Sequence, residues 1–143
     1  MLQYPEHPKT VAAQLELGII LKDKGHYPQA IEQFAELLSQ QLLEANSASE
    51  ARFYIGESYQ NMGEYRKAIE AYYKVSYHGA EGFSQWITSA DFQRARCLES
   101  LGEHTTAITV YQRIVRREGG QSPQGEMAQE QIVALRRSLG NRN

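Results

Sequence analysis

One internal pattern occurs three times in this 143-residue chain, and it restricts the fold more than any other feature. Its first copy is Leu17-Gly18, Leu21, Gly25-His26-Tyr27, Ala30-Ile31, Phe34 and Leu37. The second is Ile55-Gly56, Tyr59, Gly63-Glu64-Tyr65, Ala68-Ile69, Tyr72 and Val75. The third is Arg94-Ala95, Leu98, Gly102-Glu103-His104, Ala107-Ile108, Tyr111 and Ile114. A repeat of this kind is one supersecondary unit that cannot bury its apolar side alone and must stack on its neighbours.

Each slot has a physical task. Gly25, Gly63 and Gly102 each follow one apolar-periodic helix and precede another, where a left-handed turn is needed and a Cβ would be strained. The small Gly18, Gly56 and Ala95, with Ala30, Ala68 and Ala107, let two antiparallel helices approach closely. Phe34, Tyr72 and Tyr111 stand four residues past the second small residue, on the same helical face. The expected fold is therefore all-α: three helix-turn-helix repeats over about 8–44, 47–78 and 84–118, stacked as an α–α superhelix.

Local signals place the helix ends. Pro8 and Pro28 suit first turns, giving helices to about Lys24 and about Glu44, and Ser47-Ala48-Ser49-Glu50 reads as a capping box opening the third. A fourth helix is expected from Tyr65 to Tyr77, then a loop around Gly79 and Gly82. Helices follow at about Ser84–Leu101 and His104–Glu118. After Gly119-Gly120, the pair Ser122-Pro123 starts a capping helix over about 122–139. Met127, Ile132, Leu135 and Leu139 form its packing side, and Gln129, Gln131, Arg136 and Arg137 suit the wet outer face of a terminal repeat.

The three-fold pattern resembles the tetratricopeptide repeat over about residues 8–118. Arg94-Ala95 in place of Leu-Gly, and His104 in place of Tyr, make the third copy degenerate. The turn glycines lie 38 and 39 residues apart, against about 34 in the usual repeat. The excess is about one helical turn; a longer second helix and a longer loop at 78–82 account for it. Such stretched spacing, with Tyr4-Pro5 before a helix, is similar to repeats of bacterial envelope proteins such as the Tol–Pal coordinator and the lipoprotein of the outer-membrane barrel-assembly machinery. Residues 2–8 read like the linker that follows a preceding repeat, so the chain is expected to be a fragment of a longer repeat protein.

The resemblance implies a curved array whose concave groove is lined by the first helix of each repeat. On that face fall Leu15, Ile19 and Lys22 from the first repeat, Phe53, Glu57 and Gln60 from the second, and Phe92, Arg96 and Glu99 from the third. Aromatic and aliphatic anchors beside a few charges suit a peptide or helix laid in a groove. The alternative for Phe53 and Phe92 is a place in the core between repeats. Some members of the family grip a C-terminal carboxylate with Lys and Asn on these helices; Leu15 and Ile19 hold the matching slots here, so that clamp is absent.

Other chemistry finds little footing. His7, His26, His78 and His104 are scattered, with no pair at the four-residue spacing of a helical zinc site. Cys97 has no His or Lys within a turn to activate it and reads as a small apolar residue. The glycines follow no strand and precede no Gly-Lys-Ser/Thr, so no phosphate loop is present. No cofactor, metal or catalytic residue is expected, and the chain is read as a non-enzyme.

With 15 basic and 17 acidic residues and a net charge of −2, the balance gives no reason to expect a nucleic-acid partner. The Arg113, Arg116, Arg117 and Arg136, Arg137 clusters are read as helix C-terminal charge. Trp86, beside Phe83 in the long loop, either packs under that loop or forms a contact patch. No charged start with an apolar run marks a signal peptide, and no stretch reaches the roughly 18 apolar residues of a membrane span. The chain is read as soluble, its compartment open between the cytoplasm and, if excised from an exported parent, the periplasm. The function expected is a scaffold that holds a partner peptide or helix; the alternative is a self-associating structural element, a homo-oligomer built through unpaired repeat ends.

Overall fold

Three tight turns organise the molecule. In the computed structural model, which describes residues 10–40, 43–77 and 84–140, Gly25, Gly63 and Gly102 stand at φ +82°, +77° and +77°. Each turn closes with the same bond across it: the amides of His26, Glu64 and Glu103 donate to the carbonyls of Leu21, Tyr59 and Leu98 at 2.8, 2.9 and 2.9 Å. That is the Schellman closure, which satisfies the last helical carbonyls and reverses the chain within three residues.

The turns join α1 (Val11–Asp23) to α2 (Tyr27–Leu38), α3 (Ala45–Asn61) to α4 (Tyr65–Tyr77), and α5 (Ser84–Ser100) to α6 (His104–Glu118), with α7 (Pro123–Gly140) last. No strand occurs among the described residues. Thr10 caps α1, its hydroxyl oxygen accepting from the Ala13 amide at 3.1 Å. Ser122 caps α7 by accepting from the Gly125 amide at 2.9 Å, with Pro123 as its first residue, as expected.

Two helix ends differ from expectation. α2 stops at Leu38 rather than near Glu44, because the Ser39 hydroxyl turns back onto the Glu36 carbonyl at 2.6 Å. Gln40 then bonds Gln14 of α1 at 2.7 Å, drawing the chain off the helix axis. α3 begins at Ala45, ahead of the expected capping box, and Ser49 is a buried helical residue instead of part of a cap. The loop expected around Gly79 and Gly82 and the Pro8 start lie outside the described residues.

Three core clusters overlap along the array. The first gathers Leu15, Ala30, Phe34, Leu37 and Ala51 from α1, α2 and α3. The second joins Phe53, Tyr72 and Val75 to Cys97, and the third joins Leu98, Tyr111 and Ile114 to Ile132 and Leu135 of α7. Each hairpin thus completes its core with the first helix of the next, as stacked repeats must. The close approach that makes this possible is direct: Gly18 and Gly56 face the rings of Phe34 and Tyr72, which are fully buried.

Candidate protein-binding groove

The first helices of successive pairs touch, α1 on α3 and α3 on α5, whereas no comparable contact joins α2 to α4 or α4 to α6. The array therefore closes up on the side of α1, α3 and α5, its inner face, and opens on the side of α2, α4 and α6.

A groove of about 750 Å³ lies on the inner face, lined by Gln60 and Asn61 of α3, Tyr65 of α4, Phe92, Arg96 and Glu99 of α5, Tyr111 of α6, and Met127, Glu130 and Gln131 of α7. Its polar groups are held by a bond that recurs from one repeat to the next. Tyr72 donates its hydroxyl to Gln60 Oε1 at 2.6 Å, and Tyr111 donates to Glu99 Oε2 at 2.5 Å. Burial raises both phenols well above the ordinary tyrosine range, and for Tyr111 the Glu99 carboxylate adds to the rise. Gln60 Nε2 donates onward to Gln93 at 3.2 Å. Arg96 is exposed on α5 and makes no ion pair or side-chain hydrogen bond with any described residue.

The nine residues expected on this face separate into distinct environments. Gln60, Phe92, Arg96 and Glu99 come together in the groove, with Phe92 half-buried against Tyr111 at 5.9 Å between ring centroids. Lys22 reaches across to Glu57 at 3.0 Å and lies 5.0 Å from the Tyr54 ring centroid, so these two charges satisfy each other at the junction of α1 and α3. Ile19 packs half-buried on the first cluster. Leu15 and Phe53 are buried in the core, Phe53 among Tyr54, Tyr72 and Trp86.

Trp86 is not a loop residue. It lies on α5, half-buried against Phe53 and Tyr54, and donates its indole N–H to Asn46 Oδ1 at 2.8 Å. Met127, Glu130 and Gln131 line the groove without being among the nine expected residues. Their sequence signal is spacing: Gly140 falls 38 residues after Gly102, and Glu130 falls 38 residues after Phe92, so α7 stands in register as the first helix of a further period.

Cys97 is fully buried, and burial pushes its thiol up to about 11, the environment of an unreactive core cysteine. A polar network also lies inside. Asp91 accepts from Ser76 at 2.9 Å, Arg94 at 3.2 Å and Arg117 at 2.9 Å, while Thr88 bonds Glu118 and Arg117. Arg94, the departure noted in the third repeat, is thus half of a buried ion pair. Among the described residues no helix is long and apolar enough to cross a membrane.

Stacked helical hairpins closed by glycine turns, with a lined groove on the inner face, define an α-helical solenoid. Profiles of the tetratricopeptide repeat match residues 15–82 and 89–118, and the chain belongs to the tetratricopeptide repeat family. No curated protein sequence matches it.

Solved structures share the fold. The crystal structure of MamA aligns at 23% identity and a TM-score of 0.69, over 94% of this chain and 71% of that one. The nearly identical TPR-like repeats of a Podosopora anserina protein align at 20% identity and 0.72, over 96% and 71%. A tetratricopeptide repeat protein of Parabacteroides merdae aligns at 18% and 0.69, over 94% of this chain but 49% of its own. At these identities the likeness establishes the fold alone.

Proposed function

We propose that the chain is a protein-interaction scaffold that takes a peptide or helix of a partner protein in the groove formed by α3, α5 and α7. The observation that carries this reading is Arg96, an uncompensated guanidinium on a rigid helix, set among Phe92, Gln60 and the exposed Glu130. A half-buried aromatic anchor beside unpaired charges of both signs suits a short segment that carries its own mixed polarity. Gln60 and Glu99 are pre-oriented by Tyr72 and Tyr111, so binding would order few side chains.

The test is site-specific photocrosslinking in the host, with the crosslinker placed at Gln131, which lines the same groove as Arg96, and at Glu36 on α2 as a control outside it. A partner segment should crosslink from Gln131 and be lost on Arg96→Glu. Crosslinks that form equally from Glu36, or that survive Arg96→Glu unchanged, would place binding elsewhere. Phe53→Ala is unsuitable as a groove probe, because that ring belongs to the core.

The self-association reading draws on Met127 and Val133, left 58% and 45% exposed on α7. Light scattering decides it: a monomer at all concentrations would remove it.

A further inference from the structure

The outer face carries charge that the inner groove does not use. Between α2 and α4 a groove of about 490 Å³ has α3 as its floor. Ile31, Leu38 and Ile55 make its apolar lining, and all three are half-buried. Arg52, Lys67 and Lys74 stand on it against the single acid Glu70. Lys67 lies 5.8 Å from the Tyr59 ring centroid, but Arg52 and Lys74 make no ion pair or hydrogen bond with a described residue. Arg52 is partly desolvated as well, and burial pulls its guanidinium below the ordinary arginine value.

The next groove, between α4 and α6 over α5, is its counterpart one repeat on. It measures about 470 Å³ and is lined by Ser76, Asp91, Arg113, Arg116 and Arg117. Arg113 lies 39 residues after Lys74, the same offset as Gly102 from Gly63, so one outer position is cationic in two successive repeats. Asp91 lies in the position of Arg52, but its charge is answered by Arg94 and Arg117. Arg113 and Arg116 are exposed and unpaired among the described residues. Cations are therefore gathered on one face of a chain whose net charge is −2.

We infer that this outer face is a second docking surface, which takes an acidic amphipathic segment of a partner protein. Its apolar side chains would enter the α2–α4 groove, and its carboxylates would meet Arg52 and Lys74 and extend toward Arg113 and Arg116. An aliphatic floor rewards apolar side chains, which a polynucleotide backbone lacks, and the uncompensated cationic rim selects against basic or neutral segments. The surface is independent of the inner groove, so either can fail without the other.

The probe is a short fluorescent peptide of alternating Leu and Glu faces, titrated by anisotropy against the full chain, with its Leu–Lys counterpart as control. The acidic peptide should bind, and the basic one should not. Lys74→Glu with Arg113→Glu should weaken binding by about tenfold or more, since each exchanges an attraction for a repulsion. Arg96→Glu on the inner face should leave the affinity unchanged. Both substituted outer residues are exposed, and an unaltered far-UV spectrum and melting curve will show the fold is kept. Equal binding of the two peptides, or full affinity in the doubly reversed variant, would overturn the inference. So would a single-stranded polynucleotide that displaces the acidic peptide and binds the surface more tightly.

Discussion

The close approach of α3 and α4 gives a sharp quantitative test in Gly56→Ala. A Cβ at position 56 would lie 2.5 Å from Cε1 and 2.6 Å from Cδ1 of Tyr72, far inside normal carbon contact. The ring has nowhere to retreat: it is fully buried, lies tilted against Phe53 at 5.5 Å between ring centroids, and its hydroxyl is tied to Gln60. Overpacking of this sort costs about 1–3 kcal/mol, and the better helix propensity of alanine returns about 1 kcal/mol. Contacts this short put the cost in the upper part of that range, which leaves a net loss of about 1–2 kcal/mol, or roughly 2–8 °C in melting temperature for a chain of this size. Ala95 supplies the internal comparison, because the third repeat carries the methyl in this slot and buries it fully beside Tyr111. Ala95→Gly should therefore also destabilise, by about 2 kcal/mol, from the lost methyl and the lost propensity. Urea titration followed by far-UV dichroism measures both, and a double-mutant cycle with Tyr72→Leu isolates the clash. If Gly56→Ala is as stable as the parent, or if Tyr72→Leu costs no less in the Gly56→Ala background, the steric argument is wrong.

Other perturbations follow from the same geometry. Asp91→Ala should cost about 3–5 kcal/mol in denaturant stability, since it strands the buried Arg94, whereas Arg117→Ala, whose side chain is 30% exposed, should cost distinctly less. Gly125→Ala would drive a Cβ into the Gly119 carbonyl oxygen; backbone cannot swing aside, so hydrogen exchange should show α7 losing protection while α1 to α4 keep theirs. Stability should also fall at alkaline pH. Burial raises the Tyr72 and Tyr111 phenols above the ordinary 10.0. It takes Tyr54 to about 12, with Glu50 adding, and it takes Cys97 from an ordinary 9.0 to about 11. Between those ordinary values and the folded ones the unfolded chain gives up protons that the folded chain keeps, so stability drops as pH rises. Below about pH 8 these groups are protonated in both states and contribute no slope, and melting curves across that range would expose a wrong assignment.

The hairpins are legible in the sequence because their causes are local. A glycine at a left-handed turn, and a small residue set against an aromatic twelve or more positions on, act within one pair of helices, and all three turns close identically. The end of α2 is hidden for the opposite reason. Nothing between Leu38 and Glu44 breaks a helix by propensity; the helix ends because Ser39 and Gln40 find partners on the preceding turn and on α1. The place of Trp86 is hidden for a similar reason. Its neighbours Asn46, Phe53 and Tyr54 belong to α3, and only the stacking of one hairpin on the next brings them to the indole.

That same stacking decides what the inner face offers. Phe53, Phe92 and Glu130 occupy one slot in successive periods, yet they meet different surroundings. Phe53 is covered because Trp86 descends on it from the following helix. Position 92 is followed instead by α7, which brings Met127 and Gln131 beside it and leaves Phe92 at the edge of the groove. The slot pattern therefore names the residues that face inward, and the identity of the next helix settles which of them stay accessible. Replacing Glu130 with Phe tests this directly: the groove beside Phe92 should become apolar without loss of stability, because Glu130 is exposed and makes no ion pair or hydrogen bond with a described residue. A polar fluorescent partner peptide should then bind Glu130→Phe more weakly than the parent, and an unchanged affinity would mean that α7 does not complete the binding face.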